Sequence, residues 1–184
     1  MSLDQLLESI PVYAKDIKLN LSATLRQTEL TPQQLWGTAL ASAIAARNPL
    51  VLHAISVESR AHLSEQAADA ARTAAAIMAM NNVYYRFTHL TDNEKYKQIP
   101  ARLRMQGMRT HGVDPVDFEL WCTAVSAINN CKTCVASHEQ VLRDKGMTEE
   151  QVTAAIRIAA VIQVAATVLD AASGAPATTA ASSA

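Results

Sequence analysis

The sequence predicts an all-α protein. Three observations carry that prediction. The 184 residues include only five Gly and six Pro, and aromatic residues make up 4%, so turn and strand material is scarce. Long stretches are dominated by Ala, Leu and Gln, which favour helix. Helix-start signals recur along the chain between these stretches. With 49% hydrophobic residues, a chain of this length can bury one real core, and residues 1–172 are expected to form a single helical domain.

The elements follow from local chemistry. Thr31-Pro32-Gln33-Gln34 combines a capping Thr, a Pro in the first helical position and a Gln in the third, which predicts a helix to about Arg47. Asn48-Pro49 ends it and starts the next. Ser64 caps a helix to about Phe87, and Thr91 with Glu94 reads as the capping box of a short one. Pro100 and the glycines Gly107 and Gly112 bound another. Asp114-Pro115-Val116-Asp117 opens a helix to about Ile128, with carboxylates at the positive end of its dipole. Asn129-Asn130 breaks it, a helix from about Cys131 to Lys145 stops at Gly146, and Thr148 with Gln151 caps the last, to about Ala171. Residues 173–184, rich in Ser, Thr, Ala and Pro, read as a disordered tail.

The chain also resembles itself at an offset of 85 residues. That shift pairs Leu35-Trp36 with Leu120-Trp121, His53 with His138 and Arg72 with Arg157, and it predicts two similar helical units, about 30–85 and 115–170, around a pseudo-twofold axis. The two copies differ in chemistry. Glu119, Cys122, Cys131 and Cys134 stand where the first copy has Gln34, Gly37, Ala46 and Pro49. Histidine stands in both, which argues against a purely catalytic reason for His138.

A net charge of −1 lacks the long-range field on which non-specific nucleic-acid binding relies. The N-terminus has Asp4 and Glu8 and no basic stretch leading into an apolar run, and the apolar stretch Ile158 to Leu169 is interrupted by Gln163. Both point to a cytoplasmic protein that neither binds nucleic acid nor enters a membrane.

Three clustered cysteines in such a chain suggest redox or metal chemistry rather than a disulfide framework. Cys131 and Cys134 are three residues apart at the start of a helix, close enough to form a disulfide with little backbone movement. Unpaired N–H groups, the helix dipole and Lys132 favour a thiolate there. His138 lies on the same face and can move a proton, and Glu119 completes a relay if its helix packs antiparallel across the Asn129-Asn130 turn. A zinc site would use Cys131, Cys134 and His138 with Cys122 or Glu119, but no second Cys/His pair supplies the usual set. Haem attachment is disfavoured because Val135 follows Cys134. Cys122 reads as a buried small hydrophobe, His53 as structural, both Trp as core, and Met78, Met80, Met105 and Met108 as packing.

Met-Ser-Leu-Asp-Gln-Leu-Leu at the start, Asn81-Asn82-Val83-Tyr84-Tyr85-Arg86-Phe87, and Glu119 followed by Cys131-Lys132-Thr133-Cys134-Val135-Ala136-Ser137-His138-Glu139 resemble the alkyl hydroperoxidase D family, within the carboxymuconolactone decarboxylase-like group. The resemblance spans nearly the whole chain. It implies an all-helical homotrimer acting as an antioxidant, a thiol-dependent alkyl hydroperoxide reductase that couples lipoyl-bearing 2-oxoacid dehydrogenase components to a peroxiredoxin. Hydroperoxides would be substrates, dihydrolipoyl groups the electron donor, and no tightly bound cofactor or metal would be needed. It further implies that Cys134 becomes the sulfenic acid or mixed disulfide, that Cys131 resolves it, and that Glu119 and His138 relay protons. Helix-terminus reasoning alone prefers Cys131 as the nucleophile. Thr133 departs from the family pattern, which has His just before the second Cys. The alternatives are a decarboxylase-like enzyme on the same fold, independent of the thiols, or a zinc-binding protein without enzymatic activity.

Overall fold

The computed structural model describes residues 1–174, and these contain helices and no strand. The order is α1 (Leu3–Ser9), a 3₁₀ turn (Val12–Ala14), α2 (Lys15–Thr24), α3 (Pro32–Ala46), α4 (Pro49–Ser59), α5 (Glu65–Leu90), α6 (Lys95–Gln98), α7 (Gly107–Thr110), α8 (Pro115–Ile128), α9 (Lys132–Asp144) and α10 (Glu149–Gly174).

Helices α3 and α8 pack on each other at the centre, and each long helix, α5 and α10, packs against both. Leu35, Ala39, Leu40 and Ala43 of α3 are buried with Phe118, Leu120, Trp121 and Val125 of α8. Gly37 sets how closely they approach: a Cβ built there would fall 2.2 Å from the Trp121 indole, so any side chain would push the helices apart. The indole Nε1 donates to the Gln34 carbonyl at 3.3 Å, which satisfies its polar end inside the core. Asp117 is buried and accepts from the Gln33 and Gln34 side chains at 2.7 and 2.9 Å, so its carboxylate ties α8 to the start of α3.

The caps explain most boundaries. Capping boxes open α1 at Ser2/Gln5 and α3 at Thr31/Gln34, and Thr148 and Gln151 bond reciprocally before α10. Asn48 caps α4 through two bonds of 3.0 Å, to the Leu50 and Val51 amides. Gly146, at φ +87°, takes the left-handed turn that releases the chain from α9. By length and composition α10 could cross a membrane, yet Ile158, Ile162, Ala165 and Ala166 are buried where it packs on α2, α3 and α8.

Several expectations need correction. Thr91 closes α5 instead of opening the next helix: its N–H donates to the Phe87 carbonyl, and α6 begins four residues later without a side-chain cap. Residues 101–106 are not helical, and Gly107 begins α7 rather than bounding a helix. The last helix includes Ser173 and Gly174, so the expected tail starts no earlier than 175, and residues 175–184 lie outside the described residues. The N-terminal helices α1 and α2 were not anticipated at all.

The two runs α3-α4-α5 and α8-α9-α10 have similar lengths, 15, 11 and 26 residues against 14, 13 and 26. Their starts are 83, 83 and 84 residues apart rather than 85. By helix boundaries, then, Cys131 corresponds to Asn48 and not to Ala46.

Candidate functional site

The Asn129-Asn130 turn carries the chain from α8 into α9. Asn130 adopts φ +55°, and the Cys131 amide reaches back to the Ser126 carbonyl at 3.1 Å. Asn82 of α5 holds this turn: it accepts from the Asn129 side chain at 2.9 Å and donates to the Ser126 hydroxyl at 3.0 Å. Arg86, one turn further along α5, donates to the Asn129 carbonyl at 2.7 Å. The long helix thus clamps the backbone just ahead of the cysteines.

Cys131 occupies the N-cap position of α9 and Cys134 the third helical position, with Cα atoms 5.3 Å apart and the two sulfurs bonded. No side chain caps α9. Its first-turn N–H groups therefore remain as uncompensated donors beside the sulfurs, a setting that favours a thiolate once the bond is reduced. The two cysteines differ in access. Cys131 is sealed at 0% exposure, whereas Cys134 is 7% exposed and lines a cavity of about 270 Å³.

Three segments build that cavity. Helix α5 contributes Met78, Asn81 and Tyr85; the stretch around α7 contributes Met105 and Met108; α9 contributes Thr133, Cys134, Ser137 and His138. The lining is largely apolar with a few polar groups, as suits a small organic ligand. Of the four methionines expected as packing, Met78 belongs to the core and Met108 packs against it, and both line this cavity together with Met105.

Glu119 of α8 and His138 of α9 meet across the helix pair, with Glu119 Oε2 2.5 Å from His138 Nδ1. Their side chains are 19% and 12% exposed, so the pair is shielded from bulk water without being sealed. The carboxylate assigns the proton to Nδ1 and fixes the ring, leaving Nε2 on the cavity side, 3.2 Å from the Met78 sulfur. A thioether is a weak acceptor, so this nitrogen is not committed to a strong partner. Glu119 does not line the cavity itself and acts on it through His138.

The remaining predicted residues separate clearly. Cys122 is a buried free thiol. Burial pushes its pKa well above the ordinary range, and the nearby Glu119 carboxylate pushes it further in the same direction. His53, read from the sequence as structural, is exposed on α4 and stands in other surroundings than His138. The resemblance between His53 and His138 therefore does not weaken a chemical reading of His138. Both Trp are buried, Trp36 stacking on His62 with centroids 4.7 Å apart. Asn81 and Tyr85 were missed as site residues. Their signal was the 3/4 spacing of Met78, Asn81 and Tyr85, which puts all three on one face of α5.

The carboxymuconolactone decarboxylase family profile matches residues 94–177. Over 93% of its length the chain is 63% identical to the alkyl hydroperoxide reductase AhpD of Acidobacterium capsulatum, covering 94% of that protein. It is 61% identical over 92% of its length to the protein of the same name from Solibacter usitatus, covering 96% of it. To that of Streptomyces coelicolor it is 52% identical over 93%, again covering 96%. The chain belongs to the AhpD family within the carboxymuconolactone decarboxylase-like superfamily.

Proposed function

We propose that this protein is an antioxidant alkyl hydroperoxide reductase of the cytoplasm that works by a dithiol/disulfide cycle at Cys131 and Cys134. The observation that carries the reading is the asymmetry of the pair: one sulfur is sealed and the other opens onto a cavity beside a Glu-held His. It supports Cys134 as the attacking thiol, against the preference for Cys131 that helix position alone would suggest.

In the reduced protein, the Cys134 thiolate attacks the terminal oxygen of a hydroperoxide. The O–O bond breaks, Cys134 becomes a sulfenic acid, and the alkoxide leaves with the proton that the Cys134 thiol gave up to His138 Nε2 on forming the thiolate. Glu119 holds the ring in place through its bond to Nδ1. The Cys131 thiol then attacks the sulfenic sulfur, water leaves, and the Cys131–Cys134 disulfide forms. The same Cys134 thiolate can open a peroxiredoxin disulfide by exchange, with Cys131 resolving the mixed disulfide. Dihydrolipoyl groups, such as those of 2-oxoacid dehydrogenase components, return both thiols by two exchanges. Neither a tightly bound cofactor nor a metal enters the cycle.

The zinc alternative needs His138 as a ligand together with both cysteines and a fourth group, and no observation favours it. Nor do any three His, Cys, Asp or Glu side chains among the described residues form a group that could hold a metal ion. The decarboxylase alternative has no specific observation in its favour. Assembly as a homotrimer fits the apolar outer face of α5, where Val83, Phe87 and Leu90 are 60%, 50% and 76% exposed.

The test is a thiol count on the fully reduced protein before and after one equivalent of an organic hydroperoxide. Two thiols should disappear, Cys122 should survive, and dihydrolipoamide should restore both. If no thiol is lost, direct peroxide reduction is wrong. If peroxide turnover survives alkylation of both cysteines, the dithiol cycle is wrong.

A further inference from the structure

The cavity that opens onto Cys134 carries almost no charge of its own. Its polar side chains are Asn81, Tyr85, Thr133, Ser137 and His138, and no Lys, Arg, Asp or Glu lines it. Charge collects just outside, on the segment that supplies Met105 and Met108 to its wall. From Lys95 to Val113 the chain has five of its sixteen Lys/Arg and none of its seventeen Asp/Glu, so this stretch is strongly positive in a protein whose net charge is −1. Lys97 is paired with Glu94 at 2.6 Å, whereas Arg102, Arg104 and Arg109 are exposed and make no ion pair among the described residues. Arg104 and Arg109 line an open depression together with the same Met105 and Met108, which places them at the rim of the Cys134 cavity. Access to the sulfurs makes that rim matter. Cys131 is 0% and Cys134 7% exposed, so a partner protein cannot bring its own folded surface to the disulfide. Its reactive group has to enter on an extended side chain, while the surface that carries it stays outside, against the arginines.

We propose that the segment from Lys95 to Arg109 is the docking surface for the protein that delivers the reducing dithiol, and that it receives an acidic face surrounding that protein's dihydrolipoyl arm. This rests on the lipoyl-regenerated cycle proposed above and adds the surface that selects the carrier. A dihydrolipoyl group is thin and uncharged, so it suits a largely apolar cavity but gives that cavity no means of telling one carrier from another. The charge of the carrier does. Unpaired guanidinium groups attract an acidic surface, raise its encounter rate and repel a basic one. Arginine also meets carboxylates with paired hydrogen bonds, which fixes how the carrier sits. Once it has docked, the two thiols of the arm open the Cys131–Cys134 disulfide in two exchanges, leaving two protein thiols and a cyclic disulfide on the arm. A neutral hydroperoxide gains nothing from the arginines, so the segment acts on the reductive half of the cycle alone.

The experiment follows reduction of the oxidised protein by three peptides, each with one Nε-dihydrolipoyl-lysine flanked by Glu, by Gln or by Lys residues, and counts the protein thiols released. At low ionic strength the Glu peptide should react about tenfold faster than the Gln peptide, with the Lys peptide slowest. The spread should close as salt rises to about 0.5 M and screens the charges. The double variant Arg104→Gln/Arg109→Gln should lose most of the advantage of the Glu peptide, while uncharged dihydrolipoamide reduces it within about twofold of the wild-type rate. If the double variant does not fold, the two single variants are read by the same ratio. Equal rates for the three peptides with wild type would overturn the proposal, as would a variant that keeps the full preference. A parallel loss toward dihydrolipoamide would also overturn it, since the arginines would then be shaping the cavity. Failure of the underlying reading is separately visible: dihydrolipoamide would leave the wild-type disulfide intact while dithiothreitol reduced it, and the docking proposal would fall with that reading.

Discussion

The junction from α3 to α4 and the junction from α8 to α9 use the same backbone device for different ends. In each, a non-glycine residue in the left-handed region ends the first helix, Arg47 at φ +62° and Asn130 at φ +55°, and the next residue is the N-cap of the second. In the first junction that cap is Asn48, whose side chain satisfies two amides of α4 and donates to Asp170 at 2.7 Å. In the second it is Cys131, which caps nothing. The first joint uses its cap for stability. The second forgoes about 1 kcal/mol of capping and keeps its first-turn amides for a thiolate. On the proposed cycle, reactivity at α9 comes from the removal of an ordinary cap from an ordinary joint, with a second thiol added one turn on.

The strongest way to break this comparison is to convert the second junction into the first. Cys131→Asn should abolish dihydrolipoamide-driven peroxide turnover while making the protein more stable than reduced wild type by about 1 kcal/mol in urea unfolding. A variant that loses turnover but gains no stability would mean that the α9 amides are satisfied in some other way.

The paired histidines offer the next test, since the 85-residue shift matches them while the structure gives them different surroundings. His138→Phe should lower kcat by about a hundredfold with KM little changed, as expected for loss of a general acid. His53→Phe, on the exposed face of α4, should leave kcat unaltered. Equal losses would restore a shared structural role for the two positions.

How much of this was visible beforehand depends on the range of the interaction. The starts of α3, α4, α8 and α10 were readable because each is set within four residues, by a Pro in the first position or by a box such as Thr31/Gln34. The Ser2/Gln5 box before α1 was equally local and was overlooked. Thr91 misled because a Thr followed by an acidic residue looks the same whether the preceding helix has ended or not, and α5 runs on to Leu90. The Leu-Trp matches fall at an offset of 85, while the helix starts of the two runs lie 83, 83 and 84 residues apart, because caps and core matches need not share one register. At the site, the Cys-x-x-Cys spacing and the Glu119–His138 pair were legible, the latter because a short turn makes α8 and α9 neighbours. The meeting of Asn81 and Met108 with Cys134 was not, since it depends on how α5 and the α7 segment pack.

A smaller effect sharpens the first junction. Asn48→Ala should cost between about 1 and 2 kcal/mol, through the lost cap and the lost bond to Asp170, with peroxide turnover unchanged. The corresponding change in the second junction, Cys131→Ala, should cost the reduced protein no capping energy. A cost well above that of removing a buried sulfur, about 1 kcal/mol, would show that Cys131 contributes a cap after all.

Cys122 gives the smallest effect and a check on which thiols react. Its pKa is raised by burial first and by the Glu119 charge second, so the folded protein holds the proton to a higher pH than the unfolded chain, where the thiol titrates near its ordinary value of about 8.5. The stability this contributes is complete below that value. It falls as the pH rises beyond it, because the unfolded state releases a proton that the folded state keeps. Between pH 7 and pH 9 the loss from this group should be under about 1 kcal/mol, read as a drop in the urea midpoint of a Cys131→Ser/Cys134→Ser double variant. Adding Cys122→Ala should remove that drop. It should lower stability at pH 7 by roughly the transfer and cavity cost of a buried sulfur, about 1 kcal/mol. A midpoint that falls equally in both proteins would assign the alkaline loss to other groups. It would also leave the thiol count in the reduced enzyme without its protected reference, since a Cys122 that ionises near pH 8.5 in the folded state would be open to the same reagents as Cys134.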